Sequence, residues 1–490
     1  MAEPYQSIEH VVVLMQENRS FDNLLGWQFG LSDALFNLAN DGTPIHVWRD
    51  QGTDPATMTI PDPDPGELFV DMNFQLFEAY HPGPGQAATM GGFVRNYENQ
   101  AIATGSRYDP RAIMHCFQPA QVPATSQLAA SFGICEPWFA SAPCQTWPNR
   151  FFVHTATAFG YVNNVPDPPW DVVERFPYDM PTIFNQIKQH LFALDQGWRI
   201  YFHDFPQSLL LSRLWPHLDH FHPIERFQQD VAGGNLQPYS FIEPRYFPNL
   251  DQLLLPNDHH PPHDVTYGEQ LIAQVYNTLR ADLELWRKTL LIVIWDEHGG
   301  CYDHVPPGPA AAPPGPPYSD GFRFDRFGVR IPALVVSPLV APGSIVHPPG
   351  AVPFDHTSVM VTVRKILGIA AGPLTGRDAA APDLTGALTL GPGNLNLGPQ
   401  SITVSAPAPT PAQVAVAAKT PLSTSQKGLL YAAAALPPQD RLLSWLETLR
   451  TGVAVEVPPL PHHTPEEALP YIQDRLNTFL LRDVRERPRL

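Results

Sequence analysis

The run Leu291-Ile292-Val293-Ile294-Trp295 stops abruptly at Asp296-Glu297-His298-Gly299-Gly300. Five consecutive apolar residues read as a strand buried on both faces, as in a mostly parallel sheet. In open α/β sheets, reactive groups lie beyond the carboxyl ends of such strands. Adjacent carboxylates there are costly unless something positive sits between them, and a divalent cation is the simplest candidate. A second apolar run, His10-Val11-Val12-Val13-Leu14-Met15, gives way to Gln16-Glu17-Asn18-Arg19-Ser20-Phe21-Asp22. Glu17 is a hard oxygen ligand, and Asn18 offers a neutral carbonyl oxygen. Two strand ends supplying Glu17, Asn18, Asp296 and Glu297 suit Mg²⁺, Ca²⁺ or Mn²⁺, and nearby histidines admit Zn²⁺.

Gln145-Thr146-Trp147-Pro148-Asn149-Arg150 places a hydroxyl just before a proline-initiated helix, where free amides and the helix dipole favour an anion. Taken alone, Thr146 is a helix cap. Beside a metal that lowers its pKa, it is a nucleophile. Asn257-Asp258-His259-His260-Pro261-Pro262-His263-Asp264 packs three histidines and two aspartates into one short stretch, a density suited to a metal shell or to proton transfer. Asp303-His304 and Asp355-His356 are further acid–histidine pairs. Hydroxyl, carboxylates and histidines together describe metal-dependent phosphoryl or sulfuryl transfer through a covalent intermediate.

An α/β fold must position these groups. Strands are predicted at His10–Met15, Arg199–Phe202, Tyr239–Ile242, Leu290–Trp295 and Ile331–Val336. Helices are predicted at Pro148–Phe159, Tyr267–Leu279 and His356–Leu367. Residues 40–110 are polar and proline-punctuated, and read as an inserted loop region in a domain spanning 1–378. Residues 379–490 read as a C-terminal appendage, with a linker at 379–424 and a mostly helical part at 425–482 anchored by Leu429, Leu430, Leu442, Leu443, Trp445 and Leu446.

With 57 prolines in 490 residues and 43% hydrophobic content, the chain reads as a compact enzyme with stiffened loops. Its formal charge of −18 argues against nucleic acid and against electrostatic docking on anionic lipid. No stretch has transmembrane length and no signal peptide is evident, so the expectation is a cytoplasmic protein, or a secreted one in mature form. Four cysteines, Cys116, Cys135, Cys144 and Cys301, lack zinc-finger spacing. Oligomeric state is not legible.

The segments Ile8 to Asp22, Gln145 to Arg150, Ile242-Glu243-Pro244-Arg245-Tyr246-Phe247, Asn257 to Val265, Asp296 to Val305, Gly328 to Pro332 and Phe354 to Ser358 occur in an order that resembles the non-specific phospholipase C family and its related acid phosphatases. The resemblance spans roughly residues 8–378. It implies an alkaline-phosphatase-like fold: a largely parallel sheet flanked by helices. It implies Thr146 as nucleophile, with Glu17, Asn18, Thr146, Asp296 and Glu297 on the metal. His260 and His356 are expected around the phosphoryl group, and Asp264, His304 and Arg150 beside them. One departure stands out: Asp62-Pro63-Asp64-Pro65-Gly66-Glu67 carries Glu67 where the family commonly has a histidine.

The implied reaction is a two-step displacement through a phospho-threonine, with His260 or His356 protonating the departing alkoxide. A diesterase acting on phospholipid or phosphorylcholine esters is the expected function. The alternatives are a broad phosphomonoesterase and a silent binding protein. A sulfatase is disfavoured, because Cys144-Gln145-Thr146-Trp147-Pro148 lacks the C/S-x-P-x-R setting. Trp138, Phe139, Trp147, Phe151 and Phe152 offer rings for a choline-like head group, although core packing is the commoner use.

Overall fold

The structure, a computed structural model, describes residues 3–164, 178–191, 197–318, 321–391, 393–437 and 461–480. Ten strands are described: β1 (His10–Gln16), β2 (Phe36–Leu38), β3 (Pro44–His46), β4 (Gly133–Ile134), β5 (Trp198–Phe202), β6 (Phe221–Pro223), β7 (Tyr239–Ile242), β8 (Thr289–Trp295), β9 (Ala333–Val336) and β10 (Ser344–Ile345). Eight form one sheet in the order β10-β4-β9-β8-β1-β7-β5-β6, and β2 and β3 pair separately. Only β9 runs against its neighbours β8 and β4; the other pairings in the large sheet are parallel.

β1 and β8 lie side by side at the centre and are apolar because helices cover both faces. Their register pairs Gln16 with Trp295. The next residues, Glu17 and Asp296, therefore leave the sheet at the same level, which turns two distant acidic motifs into neighbours. Helices Thr146–Thr155, Val265–Ala281 and Thr357–Ile366 follow the predicted ones with shifted ends. The first stops at Thr155, short of Phe159, because Ala156 turns into the left-handed region at φ 59°.

Two parts differ from expectation. Residues 40–110 are not a loop region: helices Phe69–Phe77 and Phe93–Thr104 stand there, with the short helix Pro55–Met58. Their apolar Leu76, Phe77, Phe93, Val94 and Tyr97 form a second core with Met114, Tyr302 and Val329. Buried polar residues Asp71, Asn73, Gln75 and Asn96 interrupt the period and hide it in the sequence. The C-terminal segment, read as an appendage, shares the main core. Leu429, Leu430, Ala432 and Ala433 of helix Thr424–Ala435 are buried there, with Ile472 and Leu476 of helix Pro465–Leu480. The predicted linker contains a helix of its own, Pro411–Lys419. Leu442, Leu443, Trp445 and Leu446 lie outside the described residues.

Candidate active site

Asn18, two residues after β1, turns into the left-handed region at φ 52°. In that pose its backbone N–H donates to Asp296 Oδ1 at 2.8 Å, its side-chain Nδ2 donates to Glu67, and its Oδ1 has no hydrogen-bond partner. Asp296 Oδ1 also accepts from the Glu297 amide at 2.7 Å, while Oδ2 has no hydrogen bond. Glu297 Oε2 accepts from the Gly299 amide at 2.7 Å, and its Oε1 is unpartnered. Gly299 sits at φ 60°, and a Cβ there would stand 2.5 Å from the Asn18 carbonyl oxygen. The glycine lets the two strand-end loops close on one another.

Thr146 is the first residue of its helix; Gln145 is the N-cap and makes no side-chain cap bond. The Thr146 hydroxyl therefore caps nothing. It bears on the Asp296 carboxyl and forms no well-made hydrogen bond. Arg150, one turn later on the same helix face, reaches across to the acids. Its Nη2 donates to Glu17 Oε1 at 3.1 Å, Nη1 lies 3.8 Å from Glu243, and Nε lies 3.9 Å from Asp296 Oδ2. Nε and Nη1 make no hydrogen bond.

Of the two nominated histidines, His356 has both nitrogens engaged. Nε2–H donates to the Asp296 carbonyl at 2.5 Å, and Nδ1 accepts from Trp138 at 3.4 Å. Burial lowers its pKa to about 4, so it is neutral and braces the Asp296 main chain. His260 Nδ1–H donates to the Pro261 carbonyl at 2.6 Å, leaving Nε2 without a hydrogen bond, 3.5 Å from Glu67 Oε1. Burial opposes charge on this ring, but Asp64 and Glu67 outweigh it and raise its pKa well above the usual value. Glu67, the departure noted in the sequence, is thus part of the centre.

Four buried oxygens, Asn18 Oδ1, Thr146 Oγ1, Asp296 Oδ2 and Glu297 Oε1, have no hydrogen-bond partner. Orphaned buried oxygens of this hardness fit a divalent cation. Burial raises the pKa of Asp296 against the opposing charge of Arg150, and burial with the charge of Glu67 raises that of Glu297. Glu17 differs from the rest of its predicted set. Its Oε1 accepts from Arg150 and from Gln207 Nε2 at 2.7 Å, and its Oε2 accepts from Ser425 Oγ at 3.1 Å. Burial, then Asp296, raises its pKa to about 8.

Asp264 and His304 are engaged elsewhere. Asp264 caps helix Val265–Ala281 through the Thr266 amide, and His304 pairs with Asp22 at 2.6 Å in a network with Asp303 and Arg330. Trp138, Phe139, Trp147, Phe151 and Phe152 are buried core rings. None of the four cysteines forms a disulfide.

Sequence reasoning missed Glu243, Gln207 and Ser425. Glu243 directly follows β7, so the strand-end signal that marked Glu17 and Asp296 marks it too. Gln207 and Ser425 carry no local signal. Among the described residues, no helix is long and apolar enough to cross a membrane.

The Phosphoesterase family matches residues 8–370. Non-specific phospholipase C3 of Arabidopsis thaliana is 36% identical over 406 residues, covering 77% of this chain and 72% of that protein. Phospholipase C B of Mycobacterium tuberculosis is 28% identical over 432 residues, 77% of each. A protein in the alkaline phosphatase superfamily from Vibrio parahaemolyticus, of known crystal structure, overlays 54% of this chain and 64% of its own at 14% identity, with a TM-score of 0.32. With a family match over most of its length and unpaired acids gathered at its central strand ends, the chain belongs to the Phosphoesterase family and is a phosphoric ester hydrolase.

Proposed function

We propose a divalent-cation-dependent phosphodiesterase of phospholipase C type, acting through a phospho-threonine at Thr146. The observation that carries it is the buried Thr146 hydroxyl: first residue of its helix, capping nothing and bearing on the Asp296 carboxyl. Asn18, Thr146, Asp296 and Glu297 are the residues to hold the cation. When bound, it lowers the pKa of the threonine hydroxyl and offsets charge on the phosphoryl oxygens. Thr146 Oγ1 attacks phosphorus, forming a P–O bond as the ester bond to the alcohol breaks. Arg150 Nε and Nη1 make no hydrogen bond and are the donors it offers to the non-bridging oxygens. Of the two nominated histidines, His260 is the one with a free nitrogen, and we assign it to the departing oxygen. Glu17, clasped by Arg150, Gln207 and Ser425, fixes the arginine. Water then cleaves the phospho-threonine.

The printed names of the relatives, phospholipases C, support a diester of the phospholipid type as substrate. The test is kcat/KM on matched p-nitrophenyl diesters, phosphorylcholine esters and monoesters. We expect the diesters to be preferred. A monoester preference of tenfold, about 1.4 kcal/mol in transition-state binding, transfers the protein to the phosphatase reading. Thr146→Ala should lose at least ~10³-fold in kcat and no longer trap phosphate on the protein by intact mass. Near-normal turnover in that variant excludes the covalent route.

A further inference from the structure

Apart from the unpartnered oxygens of Asn18, Thr146, Asp296 and Glu297, a second group of donors comes together. One ligand-type atom each from Asp64, Glu67 and His260 lies within 4.8 Å of the others. His260 Nε2 and Glu67 Oε1 face each other at 3.5 Å, both buried and both without a hydrogen bond. That spacing is long for a hydrogen bond and ordinary for two ligands of one ion, each about 2.0–2.2 Å from it. The Nδ1–H bond to Pro261 fixes the ring and directs Nε2 inward, the device that orients metal-bound histidines. The two groups adjoin, because Asn18, which supplies one oxygen of the first, donates its Nδ2–H to Glu67 of the second. Asp64, its side chain 26% exposed, stands at the rim, 3.7 Å from His260 Nδ1.

Charge points the same way. Arg150 reaches Glu17, Glu243 and Asp296, whereas among the described residues Asp64, Glu67 and Glu297 pair with histidines alone, His260 and His298. An incoming phosphate adds negative charge beside these acids, and a second cation offsets it.

We propose that Glu67 and His260, with Asp64 at the rim, hold a second divalent cation beside the one assigned above, of Zn²⁺ or Mn²⁺ character given the mixed nitrogen and oxygen donors. It deepens the proposed function and rests on it: this cation is what His260 presents to the departing oxygen, in place of a proton.

The experiment is equilibrium dialysis of the full chain against Mn²⁺, with bound metal measured by mass spectrometry and by electron paramagnetic resonance. Wild type should hold two equivalents and show an exchange-coupled pair signal. Glu67→Gln should hold one, give an isolated-ion signal and keep its circular dichroism spectrum. One equivalent in wild type, or two in Glu67→Gln, overturns the second site. If the single ion is lost in Asp296→Asn, the proposed function survives that failure. No bound ion in wild type overturns both. Should Glu67→Gln not fold, the wild-type stoichiometry and pair signal decide alone.

Discussion

A left-handed asparagine is the least costly way to make a strand end so sharply without glycine, since most side chains lose about 1–2 kcal/mol in that pose. Asn18 uses the turn to lay its amide N–H on Asp296 and to leave Oδ1 bare. Backbone and ligand roles can therefore be separated. Asn18→Gly should keep its melting temperature near wild type and still lose activity, because the oxygen is gone. Asn18→Ala should lose the same activity and melt lower than the glycine variant, by roughly 1 kcal/mol of stability. Equal melting of the two variants would mean that the left-handed turn is not what Asn18 is kept for. Glu17 shows how far a residue's type can be read without its neighbours. A buried acid after a strand was legible as functional, but its oxygens are engaged by Gln207 and Ser425, which no spacing rule connects to it.

At the level of elements, the register of β1 against β8 does most of the assembly. Both strands were legible as apolar runs, and so were the acids that end them, because a parallel sheet buries its strands and releases their carboxyl ends to the ligand side. The sequence did not show how closely the two loops approach. Gly299 lies against the Asn18 carbonyl, so Gly299→Ala must push one strand-end loop off the other. We expect that variant to lose roughly 1–3 kcal/mol in urea denaturation, from overpacking and left-handed strain together. Its metal affinity should fall in parallel. Unchanged affinity would show that the loops tolerate separation. The helices within 40–110 were illegible because Asp71, Gln75 and Asn96 bond to one another and to the chain inside the second core. A polar network satisfied internally resembles a solvated loop when only residue types are visible.

The whole molecule carries buried acids outside the active centre. Glu269 accepts from the Ala124 and Thr125 amides and the Thr125 hydroxyl at the start of helix Pro123–Ser131, tying that helix to Val265–Ala281. Burial, opposed by those bonds, raises its pKa from 4.5 to about 7, and burial likewise raises that of Asp204 to about 7. A folded pKa above the unfolded one means stability that is full below about pH 4.5 and is lost as pH rises through about 7. Each group contributes a slope of up to about 1.4 kcal/mol per pH unit in that window. Urea denaturation from pH 5 to 8 should show the decline, and Glu269→Gln should flatten its share. A variant with the wild-type slope would refute the assignment. The contact between Ser425 and Glu17 also spans the molecule, joining residues 408 apart in sequence. Gln426 reaches the Tyr246 carbonyl from the same turn. During synthesis, every proposed catalytic side chain leaves the ribosome well before Ser425 does. The nascent chain thus holds its proposed nucleophile and acids before it has the helix whose serine bonds Glu17.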